Sequence, residues 1–429
     1  MMRRICFVLL IVLGFINPIY SQKKVPINTT IISKDSSLTV KLIKRFKNKK
    51  NEQYSKNDVY DIDVYSPKSV NILNSKGKFY INSLEGFSTI VYDLNTFAKL
   101  KVIKHEFNSK NKYLFLDTNY FDYKFKSRTK NINIFKGKPV EGCFSHDGKY
   151  LWVSYYRRSY DNNAIDPSAL CIIDTDKDSI VRVMPAAILP KVIQYSKETD
   201  RIIVTNWGDN TVSLIDVTSN DFNEFKYIKN VIVDKKYEVK TDKNLLIDRD
   251  KFCGDCLRGT AFTPDGDYAI IGKSMNNSLA ALNILEGKYL GNIIGMKPSI
   301  RHIVVKDEYI YLASTQSGHI QRAQISQLID SVKKGTFIFD KWEDIYLGKG
   351  IRTIKITEDG KYLFAAVNDE SKIVVVDLKK YSAVCSIDAD SFPVGIDVSG
   401  NGKYVIVTSQ AKNGIGGNSV MIYEVVYNR

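Results

Sequence analysis

Four copies of one short turn sequence constrain the fold of this chain more than any other feature. They read FSHDGKY at residues 144–150, FTPDGDY at 262–268, ITEDGKY at 356–362 and VSGNGKY at 398–404. An Asp-Gly or Asn-Gly pair between two apolar runs is typical of a tight hairpin, because such turns need residues that tolerate positive φ. A hairpin that returns along a chain at intervals of tens of residues indicates a β-propeller.

Strand-like segments around these turns divide the chain into seven predicted blades. Each blade reads as an inner strand, a turn, a β-rich second strand, a loop, and a third strand that ends near Asp. The clearest blade is the third, with RIIVTNWGDNTVSLID at residues 201–216. The predicted blades begin at Pro67, Pro139, Pro190, Leu257, Pro298, Ile351 and Pro393. We therefore predict an all-β fold, a seven-bladed β-propeller of four-stranded antiparallel blades over residues 59–429.

The last blade lacks chain for its fourth strand. Its third strand, SVMIYEV at residues 419–425, lies almost at the end of the chain. An unassigned strand-like segment, SLTVKLI at residues 37–43, lies in the N-terminal segment 22–58. We predict that this segment completes the last blade and joins the two ends of the ring, which would cover an exposed sheet edge. The alternative is a flexible N-terminal arm.

Residues 1–21 have the organisation of a secretory signal peptide. Arg3 and Arg4 precede an apolar run over residues 5–16, and the small residue Ser21 follows. The run is too short to span a bilayer comfortably. We expect cleavage after Ser21 and export of the mature chain to the periplasm or out of the cell. A single anchoring helix is the alternative.

Two blades carry a resemblance to a known family. The third contains VTN at residues 204–206 and NTVSLID at 210–216, and the seventh opens with PVGIDVS at 393–399. These segments resemble the YVTN-repeat family of seven-bladed β-propellers, and the resemblance extends roughly over residues 60–429. It implies an extracytoplasmic and usually non-enzymatic protein, although some relatives of that fold hydrolyse lactones. The fifth blade departs from the pattern, since KDE at residues 306–308 replaces the Asp-Gly turn.

Basic residues occur where several inner strands begin. In a propeller these starting points lie on the face opposite the Asp-Gly turns, around one mouth of the central channel. The predicted ligand-binding residues at this mouth are Lys191, Arg258, Arg301 with the neighbouring His302, Arg352, and the acidic Glu141 in the matching place of the second blade. Because guanidinium groups match carboxylates and phosphates, such a mouth would attract an anion.

Aromatic residues are predicted on the same face. A long loop in the second blade contains Tyr156, Arg157 and Arg158, and the third blade contributes Trp207. A long connection at residues 113–130 interleaves aromatic and basic residues. Rings of this kind can stack on bases or sugars while cations hold the anionic groups. The alternative is that the rings pack on the blades and the basic side chains face water.

Cys253 and Cys256 form the notable cysteine pair. No histidine follows Cys256, which excludes a haem attachment site, and the chain has no second cysteine pair to complete a zinc site. An oxidising compartment favours a local disulfide between them. Reduced or redox-active thiols and a metal site remain the alternatives. We expect no cofactor and assign no metal ligand.

The charge balance predicts attraction to anions, although a lysine-rich composition of the whole proteome is the alternative. Sixty-two Lys and Arg against 47 Asp and Glu give a formal net charge of +15. We predict a monomeric, non-enzymatic module that binds an acidic saccharide, a carboxylate peptide or single-stranded nucleic acid, and we assign no catalytic residue.

Two other functions remain open. One is a metal-dependent hydrolase of the lactonase type, with Glu141, Asn206 and Asp209 as channel ligands. The neighbouring cations would repel a divalent ion and weaken that alternative. The other is a scaffold whose rim holds another protein.

Overall fold

The computed structural model describes residues 22–116, 131–237, 247–411 and 416–428. Before the propeller, the chain forms β1 (Thr30–Ile32), β2 (Leu38–Lys47) and β3 (Asp58–Tyr60). The predicted signal peptide and residues 117–130 of the aromatic connection lie outside the described residues.

Seven blades of four antiparallel strands form the propeller, as predicted. Blades one to three contain β4 (Pro67–Leu73), β5 (Lys78–Ser83), β6 (Ser88–Asp93), β7 (Lys99–Lys104), the short β8 (Glu106–Phe107), β9 (Phe135–Ser145), β10 (Tyr150–Arg158), β11 (Ala169–Asp174), β12 (Ser179–Pro185), β13 (Pro190–Ser196), β14 (Arg201–Asn206), β15 (Thr211–Asp216) and β16 (Lys226–Ile232). Blades four and five contain β17 (Leu257–Phe262), β18 (Tyr268–Lys273), β19 (Ser278–Asn283), β20 (Lys288–Ile293), β21 (Ile300–Lys306), β22 (Tyr309–Ser314), β23 (His319–Gln324), α1 (Ile325–Lys333) and β24 (Glu343–Tyr346). Blades six and seven contain β25 (Ile351–Ile356), β26 (Tyr362–Val367), β27 (Lys372–Asp377), β28 (Ser382–Asp388), β29 (Pro393–Val398), β30 (Tyr404–Ser409) and β31 (Ser419–Tyr427). Strand β8 extends the sheet of blade two, and β1 and β3 extend that of blade seven, whose fourth strand is β2.

The seven inner strands close a ring around a central channel. Each of β4, β9, β13, β17, β21, β25 and β29 contacts the inner strand of the blade on either side, and β29 contacts β4. The apolar cores lie between neighbouring blades. Trp152, for example, is fully buried in a cluster formed by the second and third blades.

The Asp-Gly turns join the first and second strands of their blades, as predicted. Gly148, Gly266 and Gly360 have φ of +88°, +75° and +69°, the conformation for which glycine is preferred. In the fifth blade Asp307 has φ of +52°. Aspartate tolerates this conformation better than most residues, so the KDE sequence makes the turn without glycine. The inner strand of this blade begins at Ile300, two residues later than expected.

The N-terminal strand closes the ring, which confirms the prediction. β2 pairs antiparallel with β31, from Leu38 opposite Tyr427 to Lys47 opposite Ser419. It is longer than the predicted segment 37–43. β1 then pairs with the outer edge of β2, and β3 lies parallel to its C-terminal half. Closure therefore uses both ends of the chain in one sheet.

A buried ion-pair network fixes this closure. The guanidinium of Arg45 on β2 donates to both carboxylate oxygens of Asp58, at 2.9 and 2.6 Å, and to Oδ1 of Asp390 at 3.0 Å. Asp390, in the loop before β29, also accepts hydrogen bonds from the backbone N–H of Val25 and the hydroxyl of Ser419. Arg45 is 1% exposed and Asp390 is fully buried. The network joins the N-terminal segment to the start and the end of the last blade.

The sequence pattern did not reveal helix α1. It is inserted between the third and fourth strands of the fifth blade, and buries Ile325, Leu328, Ile329 and Val332. These side chains belong to the core cluster shared by blades four and five. Among the described residues, no helix combines the length and the apolar character that a bilayer crossing would require.

Candidate functional site

Each inner strand has one extra residue relative to the second strand of its blade. In blade three, Pro190 pairs with Asn206 and Val192 pairs with Thr205, so that Lys191 has no partner on β14. The same irregularity lies at the start of β4, β17, β21, β25 and β29, and in β9 it lies further along the strand, just after Pro139. Such a β-bulge bends a strand and turns a side chain away from the regular alternation.

Five blades carry a cation in this bulge. These cations, which we call the mouth cations, are Lys68, Lys191, Arg258, Arg301 and Arg352. Lys68, Lys191 and Arg258 are 9%, 8% and 7% exposed, while Arg301 and Arg352 are half-buried. Lys68 was not among the predicted residues, although Pro67-Lys68 repeats the Pro190-Lys191 pattern. The structure thus brings the four predicted cations together and adds a fifth.

The pKa shifts show that the mouth cations lie close enough to repel one another. Burial, with repulsion from Arg352, Arg258 and Arg301, lowers the pKa of Lys68 well below its usual value. Burial, with repulsion from Arg258 and Arg352, does the same to the pKa of Arg301. Burial and Arg258 lower the pKa of Arg352 to about 10. Concentrated positive charge at a partly desolvated site strengthens attraction for an anion.

Two carboxylates offset part of this charge. Glu141 Oε1 lies 3.6 Å from Arg258 Nη2, and Asp250 Oδ1 lies 3.5 Å from Lys191 Nζ. Val140 follows Pro139 directly, so Glu141 is one residue beyond the position of the mouth cations and not at the matching place that we expected. Asp250 belongs to the connection before blade four, where no strand pattern marks it.

Three mouth cations have no carboxylate partner in the described part of the chain. No carboxylate oxygen there lies within 4.0 Å of Lys68, Arg301 or Arg352. Lys68 Nζ donates instead to Gln410 Oε1 at 3.3 Å. The Nε of Arg301 is buried and has no hydrogen-bond partner among the described residues. Buried donors are nearly always paired in native proteins. The part of the mouth around Lys68, Arg301 and Arg352 is therefore where an external acceptor would find unused donors.

Tyr156 and Trp207 form an aromatic wall beside Lys191. Lys191 Nζ lies 3.8 Å from the ring centroid of Tyr156 and 4.9 Å from that of Trp207. The guanidinium of Arg157 stacks on Tyr156 at 4.4 Å, and the indole of Trp207 donates to the carbonyl of Asp250. These contacts hold Lys191 and Asp250 in place. The stacking of a ligand on the two rings stays a prediction.

The predicted residue Arg158 does not join this group. It is 3% exposed, lies 4.4 Å above the ring of Phe135 and donates to the carbonyl of Ser168. All of these contacts are within the second blade. Its neighbour Arg157 lies on Tyr156 instead, because β10 has a register irregularity between Tyr155 and Arg158 that breaks the regular alternation of side chains.

His302 lines the channel below the mouth cations. The channel has a volume of about 700 Å³ and is lined by the inner strands. Burial, together with Arg258 and Lys355, lowers the pKa of His302 to about 3, so its imidazole is neutral at physiological pH. Its Nδ1 is buried without a hydrogen-bond partner among the described residues. Deeper still, Lys355 pairs with Asp397 at 2.9 Å.

The residues considered for a channel metal serve other contacts. Asn206 donates to the hydroxyls of Thr211 and Ser213, and Asp209 accepts from the backbone and hydroxyl of Thr211. Both lie at the turn between β14 and β15, while Glu141 faces Arg258. Within the described ranges, no three His, Cys, Asp or Glu side chains are grouped as a metal site would require.

Cys253 and Cys256 are joined by a disulfide, with 5.0 Å between their Cα atoms. The bond lies in the segment that leads into β17 and its mouth cation Arg258. Asp255 between them pairs with the buried Lys273 at 2.9 Å, and its backbone N–H donates to Asn210. Cys143, Cys171 and Cys385 are free thiols. The disulfide and these contacts brace the start of the fourth inner strand.

Comparisons with known proteins show a likeness of fold. No protein-family model matches the chain, and neither does any curated protein. Among solved structures, Kuenenia stuttgartiensis hydrazine synthase is 13% identical with a TM-score of 0.59, over 88% of this chain and 100% of that one. The Myceliophteria thermophila Cps50 (Swd1) β-propeller domain is 10% identical with a TM-score of 0.56, over 84% and 97% of the two chains. At these identities the likeness establishes the fold alone, that of a β-propeller.

Proposed function

We propose that this protein is a non-enzymatic binding module that takes an anionic ligand at the mouth of its channel. The observation that carries the proposal is the placement of five cations, from five different blades, at the same bulge of the inner strand. A ring of positive charge is unfavourable without a counter-charge, because each cation is partly desolvated and repels its neighbours. An anion that enters the mouth relieves both effects.

The chemistry of the mouth suits ligands with carboxylate or phosphate groups. Arg258, Arg301 and Arg352 offer planar donor forks that bind such groups through two parallel hydrogen bonds. Acidic saccharides, carboxylate peptides and single-stranded nucleic acid all carry groups of this kind. Tyr156 and Trp207 lie on the side of Lys191, where a sugar or base attached to the anion would meet them.

We also propose that the mature protein is exported and belongs with the extracytoplasmic YVTN-repeat propellers that its third and seventh blades resemble. The Cys253–Cys256 disulfide supports an oxidising compartment. Cleavage after Ser21 would leave the contacts of Val25 with the last blade intact. N-terminal sequencing of the protein from the extracytoplasmic fraction is expected to begin at Gln22. A chain recovered only with residues 1–21 attached, or only from the cytoplasm, would contradict this.

Anions are expected to raise the melting temperature of the mature protein. A ligand that binds only the folded state stabilises it by RT ln(1 + [L]/Kd), about 2.7 kcal/mol when its concentration is 100 times Kd. The panel would contain heparin, polyglutamate, single-stranded DNA, sulfate and calcium chloride. The double substitution Arg301→Gln with Arg352→Gln is expected to abolish the rise, and 0.5 M NaCl should reduce it by screening.

The matched control is Lys361→Gln with Lys403→Gln. It removes the same charge from exposed positions at the Asp-Gly turns on the opposite face, and should leave the response to anions unchanged. If calcium raised the melting temperature and no anion did so, the proposal would be wrong and a metal-dependent hydrolase would take its place.

A further inference from the structure

Glu141 lies among the mouth cations of four blades. It is 3.6 Å from Arg258, and its charge offsets part of the lowering that burial and the neighbouring cations impose on the pKa values of Lys68, Arg301 and Arg352. A hydrogen-bonded pair of guanidinium and carboxylate is usually about 2.7–2.9 Å apart. Glu141 is therefore near several cations without a short contact to its partner Arg258, and it stands where an external anion would bind.

The neighbouring cations retain unused donors. Arg301 and Arg352 lie on adjacent blades whose inner strands are in contact. Neither has a carboxylate oxygen within 4.0 Å among the described residues, and Asp369 acts on Arg352 only from beyond that distance. Lys68, from the first blade, donates to the neutral Gln410 and has no carboxylate partner in the described ranges. Two guanidinium forks and one ammonium group thus remain to be satisfied.

We infer that a compact tetrahedral dianion, such as a phosphate monoester, binds between Arg301, Arg352 and Lys68. Glu141 competes with it for the same cations. The inference rests on the proposed function and names the charge and shape of the group that the mouth recognises. Glu141 acts as an internal counter-ion, and an external dianion must outcompete it for these cations in order to bind.

The number of donors decides between a carboxylate and a dianion. A carboxylate offers two oxygens and one charge, which one guanidinium fork already satisfies. A phosphate monoester offers three oxygens outside its ester bond and carries a charge of −1.5 to −2 at neutral pH. It can therefore accept hydrogen bonds from two guanidiniums and one ammonium together. A monocarboxylate would leave one of these half-buried forks unpaired, at a cost in free energy.

The test is isothermal titration of the mature protein with sodium sulfate, inorganic phosphate and sodium acetate at pH 8 and constant ionic strength. Sulfate and phosphate are expected to bind at least about tenfold more tightly than acetate, a difference of about 1.4 kcal/mol. Glu141→Gln removes the competing charge with little change in shape and should tighten sulfate binding about tenfold. The control Glu424→Gln makes the same charge change at the Lys403–Glu424 pair, also 3.6 Å apart, on the opposite face.

A second variant keeps the inference testable if Glu141→Gln does not fold. Arg352→Lys keeps the positive charge and removes the fork, so sulfate should bind about tenfold more weakly and acetate should change little. Glucose 6-phosphate and a phosphoserine peptide then distinguish a free sugar phosphate from a phosphorylated protein as the source of the group. Binding of either supports the inference.

The outcomes separate this inference from the proposed function. If heparin or polyglutamate binds but acetate equals sulfate, or Glu141→Gln leaves sulfate binding unchanged, the mouth is an anion site and the dianion inference is wrong. If no anion of either panel binds, both are wrong.

Discussion

Replacement of Asp390 by alanine is expected to lower the free energy of unfolding by about 3–5 kcal/mol, as is typical when one partner of a buried ion pair is removed. The substitution takes an acceptor from Arg45, from the backbone N–H of Val25 and from the hydroxyl of Ser419, all at the joint between the two chain ends. Urea denaturation of the mature protein, followed by tryptophan fluorescence and circular dichroism, measures the loss.

Asp388→Ala is the matched control. Asp388 is two residues away and pairs with Lys23 at 2.7 Å, but its side chain is 59% exposed. Exposed ion pairs contribute about 0–1 kcal/mol, so this variant should unfold close to the wild-type midpoint. Equal losses for the two variants would show that the Arg45 network does not hold the ring closed.

Trp152→Ala is expected to cost about 3–5 kcal/mol, the usual range for an aromatic side chain deleted from a core. Trp152 is fully buried between blades two and three, stacks on Phe225 with ring centroids 5.5 Å apart, and donates to Ser145 Oγ. Alanine would leave a cavity and remove the hydrogen bond to Ser145. The loss is measured as a shift of the urea midpoint, with the folded baseline checked by circular dichroism.

Trp342→Ala makes the same chemical change at a half-buried position. Trp342 lies between α1 and β24 and packs on Phe339. Because part of its ring already faces water, less apolar area is lost and the destabilisation should be less than half as large. A larger effect at Trp342 than at Trp152 would show that the blade-five insertion, and not the contact between blades two and three, limits stability.

The propeller could be predicted because its signals are local. Each Asp-Gly turn is read from adjacent residues, and each strand from a run of apolar residues such as Arg201–Asn206. The closing strand β2 was also predictable, since the last blade lacked a partner and the segment 37–43 lacked an assignment. Helix α1 was missed because it is a single short insertion that interrupts a repeating pattern.

The site was only partly predictable because its geometry depends on the bulges. The sequence shows that Lys191 follows Pro190, but not that an extra residue at this point turns its side chain toward the other cations. Without the bulge, Lys68 passed unnoticed and Glu141 was placed one residue too early. Arg158 was misjudged for the same reason: a register irregularity in β10 between Tyr155 and Arg158 buries its side chain on Phe135. Asp250 lies in a connection, where no periodic pattern exists.

The bulges also determine how substitutions can alter which ligand this protein binds. The backbone makes the same detour in every blade, whether the residue there is Lys68, Arg301 or the apolar Val394. A substitution at one of these seven points therefore alters the mouth without requiring any strand to repack. The side chains at the mouth, and with them the ligand that it binds, can therefore change one blade at a time while the ring of inner strands stays the same.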